Sequence, residues 1–235
     1  QMDLAIGRLL DAIRDSGQEK NTIVLLVSDN GMSEKNNAKE VLAPDDWTKR
    51  NLHQLRGHKA TVWENGIRVP CLVRWPDRIA PGKRTQLGAA EDILPTLLDL
   101  AGIKADGITH PLFDGVSLKP SLENTATTFE HPDLFRIAIS GPGSPRDLKE
   151  GQERRYEDHH LAMRGPQFKY HALPGGGSEL YDIIADPRET TDLKDKLPDV
   201  AKRMAAECRK HWDDTLASKR AFLPPPVGVK VKKEE

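Results

Sequence analysis

Apolar positions recur at three- and four-residue spacing at the start of the chain. Met2, Ile6, Leu9, Leu10 and Ile13 share one helical face. Ser16 and Gly17 follow as a stop signal. The stretch "TIVLLVS" (22–28) is short, β-branched and continuously apolar, which predicts a strand buried on both faces of a parallel sheet. Residues 31–52 are polar and aperiodic and read as a long loop, the kind that often carries function. "GIRVPCLVRWP" (66–76) reads as a second strand bounded by prolines. "EDILPTLLDLAG" (91–102) reads as a helix, with Asp92 able to cap it, Pro95 in its first turn and Gly102 closing it. Helix, buried strand, loop, strand, helix is the rhythm of an α/β layered fold.

The pattern changes after Asn124. "NTATT" and "SGPGSPRDLKEGQERR" read as linker and loop. "HLAMR", "FKYHAL" and "ELYDI" then predict short strands of a small antiparallel sheet. From Pro198, the residues Val200, Met204, Cys208, Trp212 and Leu216 recur every four, the stripe of a terminal amphipathic helix (about 198–217) that can lie on that sheet. The tail "LPPPVGVKVKKEE" reads as extended and partly disordered. The expected division is therefore 1–124, an α/β part, and 125–235, a smaller subdomain.

Composition narrows the function classes. Among 235 residues, 37% are hydrophobic and 30% charged, and the formal net charge is −1. No global field draws in nucleic acid or an anionic membrane. The longest apolar runs are too short for a helical membrane span. Two cysteines, Cys71 and Cys208, exclude a disulfide framework and a paired Cys-x-x-Cys metal site. The first residues show no signal-peptide pattern, and the missing initial Met leads us to expect further sequence upstream.

The chemistry concentrates at the end of the first strand. Asp29, Asn30 and Gly31 follow "LLVS" directly. In open α/β sheets, ligands gather at the carboxyl ends of strands. A carboxylate and an amide oxygen are hard ligands suited to Ca²⁺ or Mg²⁺. The same tripeptide also suits a plain turn with Asx hydrogen bonds, and both readings stand on the tripeptide alone.

The neighbouring motifs bring in a resemblance. "LRGHKATVWENGIRVPCLVRWP", "EDILPTLLDLAGI", "DGVSLKPSL" and "MRGPQFKY…ELYDIIADPRETTDL" follow in order. Together they resemble the C-terminal half of the sulfatases of the alkaline phosphatase superfamily, from Gln1 to about Leu216. The resemblance implies an alkaline-phosphatase-like α/β/α sandwich, of which 1–124 is the C-terminal part. Residues 125–235 would be a C-terminal subdomain, and its loop at 140–158 would wall the substrate pocket.

The resemblance also implies roles. Asp29 and Asn30 would complete a Ca²⁺ site whose other carboxylates lie outside this chain. Lys59 would contact the sulfate ester and serve catalysis. His58 is a weaker substrate-binding candidate that could equally sit at the surface. Arg56 is expected to pair with an acid. Glu64 and Arg68 are expected to hold the loop-to-strand junction, and Trp63 and Trp75 to pack. His159 and His160 are expected to be structural, with a weaker place in the substrate pocket, and Cys208 to be core. Sulfatases attack with a formylglycine made from Cys/Ser-x-Pro-x-Arg, and no cysteine or serine of this sequence fits that motif. The expected picture is a Ca²⁺-dependent sulfatase fragment, inactive alone, whose nucleophile lies on a missing N-terminal half. Its substrate would be a sulfated sugar or aryl sulfate, and relatives work in the periplasm, outside the cell or in lysosomes. Two alternatives remain at this stage: a phosphodiesterase or phosphonate hydrolase of the same superfamily, and a non-catalytic module binding sulfated glycans.

Overall fold

The structure is a computed structural model that describes residues 1–37, 40–41, 43–51, 53–103, 114–138 and 155–217. Helix α1 (Met2–Asp15) forms over the predicted apolar face, yet none of its residues is buried. Strand β1 (Val24–Val27) follows. It pairs antiparallel with β4 (Cys71–Arg74), with Leu26 opposite Leu72. This corrects the expected parallel, doubly buried strand. Leu26 and Val27 are 41% and 39% exposed, and Leu72 is 58% exposed. Among the described residues, no third strand joins this ladder. The β-branched run makes a strand by propensity, and burial then depends on what is stacked beside it.

The expected loop at 31–52 contains structure. Strands β2 (Lys35–Asn37) and β3 (Glu40–Val41) form a small hairpin, and α2 (Pro44–Arg50) follows. The second predicted strand is shorter than expected. "ENGI" instead winds into a single helical turn, α3 (Glu64–Ile67), before β4 begins at Cys71. Helix α4 (Ile93–Leu100) ends at Gly102, whose φ of +71° only glycine adopts easily. Asp92 stands at the N-cap of α4 as expected, but its side chain makes no capping bond there. Its fully buried carboxylate turns away to accept from the amides of Ala89 (2.6 Å) and Val116 (2.8 Å) and to meet His131 Nε2 (2.9 Å). The "DGVSLKPSL" stretch, ending in α5 (Lys119–Glu123), lies on α4 through Leu118 N to Thr96 Oγ1 and Ser117 Oγ to Asp99 Oδ2.

Among the described residues, the C-terminal sheet has four strands in the order β5-β6-β7-β8, all antiparallel. They are β5 (Leu134–Ile137), β6 (Leu161–Arg164), β7 (Phe168–Ala172) and β8 (Ser178–Asp182). β5 escaped the sequence reading. It adds an edge strand, tied back to the α4 region by Arg136 and Glu91 at 2.9 Å.

Alternation along these strands builds two different faces. Leu161, Met163, Tyr170, Ala172 and Leu180 form one face, closed by Met204, Cys208 and Trp212 of α6 (Pro198–Ala217). That is the core of the molecule and follows the predicted stripe. Burial pushes the Cys208 thiol up to about 11, as befits a core residue. The other face is charged and lies under the turn that carries the site. The loop at 140–158 is described only from Arg155 onward, Leu216 lies outside the described side chains, and the tail lies outside the described residues.

Candidate active site

β1 delivers Asp29 and Asn30 to its carboxyl end, where Asp29 is exposed and Asn30 half-buried. Ser28 Oγ donates to Asn30 O (3.0 Å), and Asn30 Nδ2 donates to Gly31 O (3.0 Å). The second bond uses the nitrogen end of the amide and turns its oxygen the other way. A carboxylate and an amide oxygen are donors of the kind hard cations take, although among the described residues no group of three acidic, histidine or cysteine side chains gathers there. A Cβ on Gly31 would fall inside the contact radius of Asn65 O, so only glycine allows this close approach.

Both halves of the candidate site rest on α3. Gly31 N donates to Gly66 O (2.9 Å) and Met32 N to Asn65 O (3.2 Å). On the other side, Asn65 N donates to Arg56 O (2.9 Å) and Asn65 Nδ2 to Gly57 O (2.9 Å). Gly57 sits at φ +82°, and a Cβ there would press into Trp63 and Thr61. Lys59 is exposed, and its amide donates to Met32 O (2.7 Å). The turn therefore brings Lys59 beside the segment that follows Asp29 and Asn30. Ala60, next to Lys59, holds φ +76°, a strained backbone for a residue with a side chain.

His58 does not point freely outward. Its Nδ1 lies 2.9 Å from Lys59 O and its Nε2 3.5 Å from Glu34. A cleft of about 460 Å³ opens beside Asn30, Arg50, Asn51, His53 and Arg68. Asp29 and Lys59 are not among its walls.

Beneath the turn lies a buried charge network that sequence reasoning only touched. Glu64 pairs with Arg68 at 3.6 Å, as expected, but also with Lys169 at 3.1 Å and Arg164 at 3.5 Å. Lys169 is wholly buried and reaches Glu189 at 2.9 Å. Glu189 meets His171 Nε2 at 2.8 Å, and His171 Nδ1 lies 3.0 Å from His160 Nε2. Trp63 stacks on His171, with ring centroids 4.0 Å apart. Arg56 lies 3.5 Å over Trp63 and pairs with Glu179 at 3.3 Å, which meets the expectation of an acid partner.

Burial first, then the Lys169 and Arg56 charges, bring His160 down to about 4. The same causes, in the same order, hold His171 well below its ordinary value, with His160 adding to them. Both imidazoles are therefore neutral near pH 7. His159 and His160 do not act as a pair. His159 packs at 4.8 Å from Trp212, and His160 faces Trp63. Lys169, His171 and Glu189 were missed. The signal was present in "FKYHAL", where a lysine and a histidine alternate with aromatic residues, but alternation alone normally sends that polar face to water.

The family model for "Sulfatase" matches residues 1–103. The chain belongs to the sulfatase family. It is 31% identical over 216 residues to bovine (Bos taurus) arylsulfatase A, covering 86% of this chain and 39% of that protein. It is 35% identical over 232 residues to mouse (Mus musculus) steryl-sulfatase, covering 90% and 36%. The crystal structure of Ps i-CgsB superimposes with a TM-score of 0.69 at 25% identity, over 92% of this chain and 42% of that one. The chain thus spans about two fifths of the length of the relatives it matches. The fold is accordingly of the alkaline-phosphatase-like α/β type, and these sulfatase relatives do not favour the phosphodiesterase or glycan-module readings.

Proposed function

We propose that this chain is the C-terminal portion of a sulfuric ester hydrolase that cleaves a sulfate monoester on a sugar or aryl group. Residues 1–124 belong to the catalytic α/β domain and 125–235 to the C-terminal subdomain. The observation that carries this reading is that one helical turn, α3, holds both the Gly31–Met32 segment after Asp29 and Asn30 and the Arg56–Gly57 segment before Lys59, in a sulfatase-family sequence. Asp29 and Asn30 are the residues here that would hold Ca²⁺, together with ligands from a preceding N-terminal half that also carries the formylglycine. When bound, the ion stabilises negative charge on the ester oxygens. Lys59 brings an exposed ammonium to the same region. As the S–O bond breaks, charge grows on the leaving oxygen, and a fixed cation lowers the energy of that state. His58, held by Glu34 and the Lys59 carbonyl, contributes to binding at most by orienting that turn.

The test is an aryl-sulfate hydrolysis assay on the full-length gene product. Lys59→Ala is expected to lower kcat by about a hundredfold or more, with calcium affinity kept. Asp29→Ala is expected to weaken calcium binding and cut turnover. An Asp29→Ala enzyme with the parent rate and calcium dependence would sink the metal assignment.

A further inference from the structure

The stretch "DPRETTDL" has no part in the chemistry above, yet it is shaped with care. Asp186 accepts from the amides of Thr190 (2.7 Å) and Thr191 (2.8 Å) and from the Thr190 hydroxyl. Asp186 O accepts from Glu189 N (3.1 Å), and Glu189 takes φ +56°. A side chain in that backbone region is strained and persists only where its surroundings hold it. The strained turn places one carboxylate, 2% exposed, beneath the site.

That carboxylate touches several elements at once. Its Oε1 meets Lys169 and His171 of β7 at 2.9 and 2.8 Å. Its Oε2 accepts from the backbone amide of Glu64, the first residue of α3, at 2.7 Å. Its own carbonyl accepts from Arg56 at 3.4 Å. α3 is the element whose carbonyls hold Gly31 and Met32 and whose Asn65 holds the Lys59 turn. A continuous set of short hydrogen bonds therefore runs from the C-terminal sheet through Glu189 and α3 to both halves of the candidate site.

We propose that Glu189 is a positioning residue of the active site. From the C-terminal subdomain it sets where α3 sits, and through α3 it sets where Asp29, Asn30 and Lys59 stand relative to one another. It touches neither substrate nor ion. Lys169 serves as its counter-charge, since a carboxylate buried this deeply needs a cation. Its relevance to catalysis rests on the sulfatase reading, but the mechanical coupling does not.

The experiment is residue-resolved amide hydrogen exchange on the 235-residue chain and its Glu189→Ala and Glu189→Gln variants. Glu189→Ala removes the acceptor for Glu64 N. We expect exchange at Gly31, Met32, Lys59 and Glu64 to quicken about tenfold or more, while the amides of β6 and β7 keep their protection. Glu189→Gln retains an oxygen for Glu64 N, so it should restore most of that protection. Equal acceleration everywhere would make Glu189 a general stabiliser and overturn the proposal. Unchanged exchange at Gly31, Met32 and Lys59 would overturn it too. If Glu189→Ala does not fold, Glu189→Asp, whose shorter side chain draws the carboxylate back from Glu64 N, takes its place and is read by the same local-against-global pattern. In the full-length gene product, Glu189→Ala should lower kcat with KM nearly unchanged, and Glu189→Gln should recover most of the lost rate. If Lys59→Ala left that enzyme unaffected while the exchange pattern held, the sulfatase site reading would fail and the coupling would survive.

Discussion

His160 and His171 sit back to back between the Trp63 ring and the Glu189 carboxylate. Their neutrality has a thermodynamic consequence. In the unfolded chain a histidine takes up a proton near 6.5, whereas folded His160 does so only at about 4. Between those values the unfolded state binds more protons, so stability rises with pH across this window and is complete above it. His171, also held well below its ordinary value, chiefly by burial, adds a second proton to the slope. The groups facing the pair are Lys169, Arg56, Glu189 and Tyr181. Denaturant midpoints measured from pH 4.5 to 7 should therefore climb, and His160→Gln should remove about half of that climb. A parent chain with flat midpoints across this range would contradict the assigned neutrality.

At the scale of elements, the C-terminal sheet works because it has two different faces. The apolar face takes α6, and Met204, at the centre of that contact, is fully buried. Met204→Ala should destabilise the chain by about 2–5 kcal/mol, since the sheet and helix cannot close the cavity completely. Thermal unfolding by circular dichroism reads this directly. Much of this unit was legible beforehand. The fourfold spacing of Val200, Met204, Cys208 and Trp212 and the alternation in "HLAMR" and "FKYHAL" are local signals of the kind that secondary structure obeys. β5 was not legible, because "LFRI" is short and its pairing partner is Met163-centred β6, about thirty residues on by chain position. α3 was hidden for a similar reason. "ENGI" has poor helical propensity, and its turn is held from outside, by the Glu189 carboxylate on its first amide.

At the scale of the whole molecule, the first third of the chain is unevenly covered. α1 leaves its apolar stripe at best half-buried, with Met2 75% and Leu9 56% exposed. Leu26 and Leu72 lie opposite each other on the β1–β4 ladder and are both open to solvent. A two-stranded ladder with apolar side chains on show invites further pairing. The isolated chain is expected to self-associate at micromolar concentration. Replacing Leu26 and Leu72 by lysine should shift it toward monomer in analytical ultracentrifugation. A parent chain that sediments as a monomer throughout would refute this expectation. The C-terminal sheet and α6 bury their own apolar face and do not share this exposure.

What the sequence alone determined were the features encoded within a few residues. These are the α6 stripe, three of the four C-terminal strands, the placement of Asp29 and Asn30 at a strand end, and the motif order that resembles the sulfatases. Periodicity, turn chemistry and motif spacing are local, and they survive without knowledge of the fold. The tertiary structure alone decided the antiparallel β1–β4 pairing, the support by α3 of both the Gly31–Met32 and the Arg56–Gly57 segments, and the union of Glu64, Lys169, His171 and Glu189. Those last four residues are up to 125 positions apart. A buried charge is stable only where its partners converge on it in space, and no local pattern records which distant residues will meet.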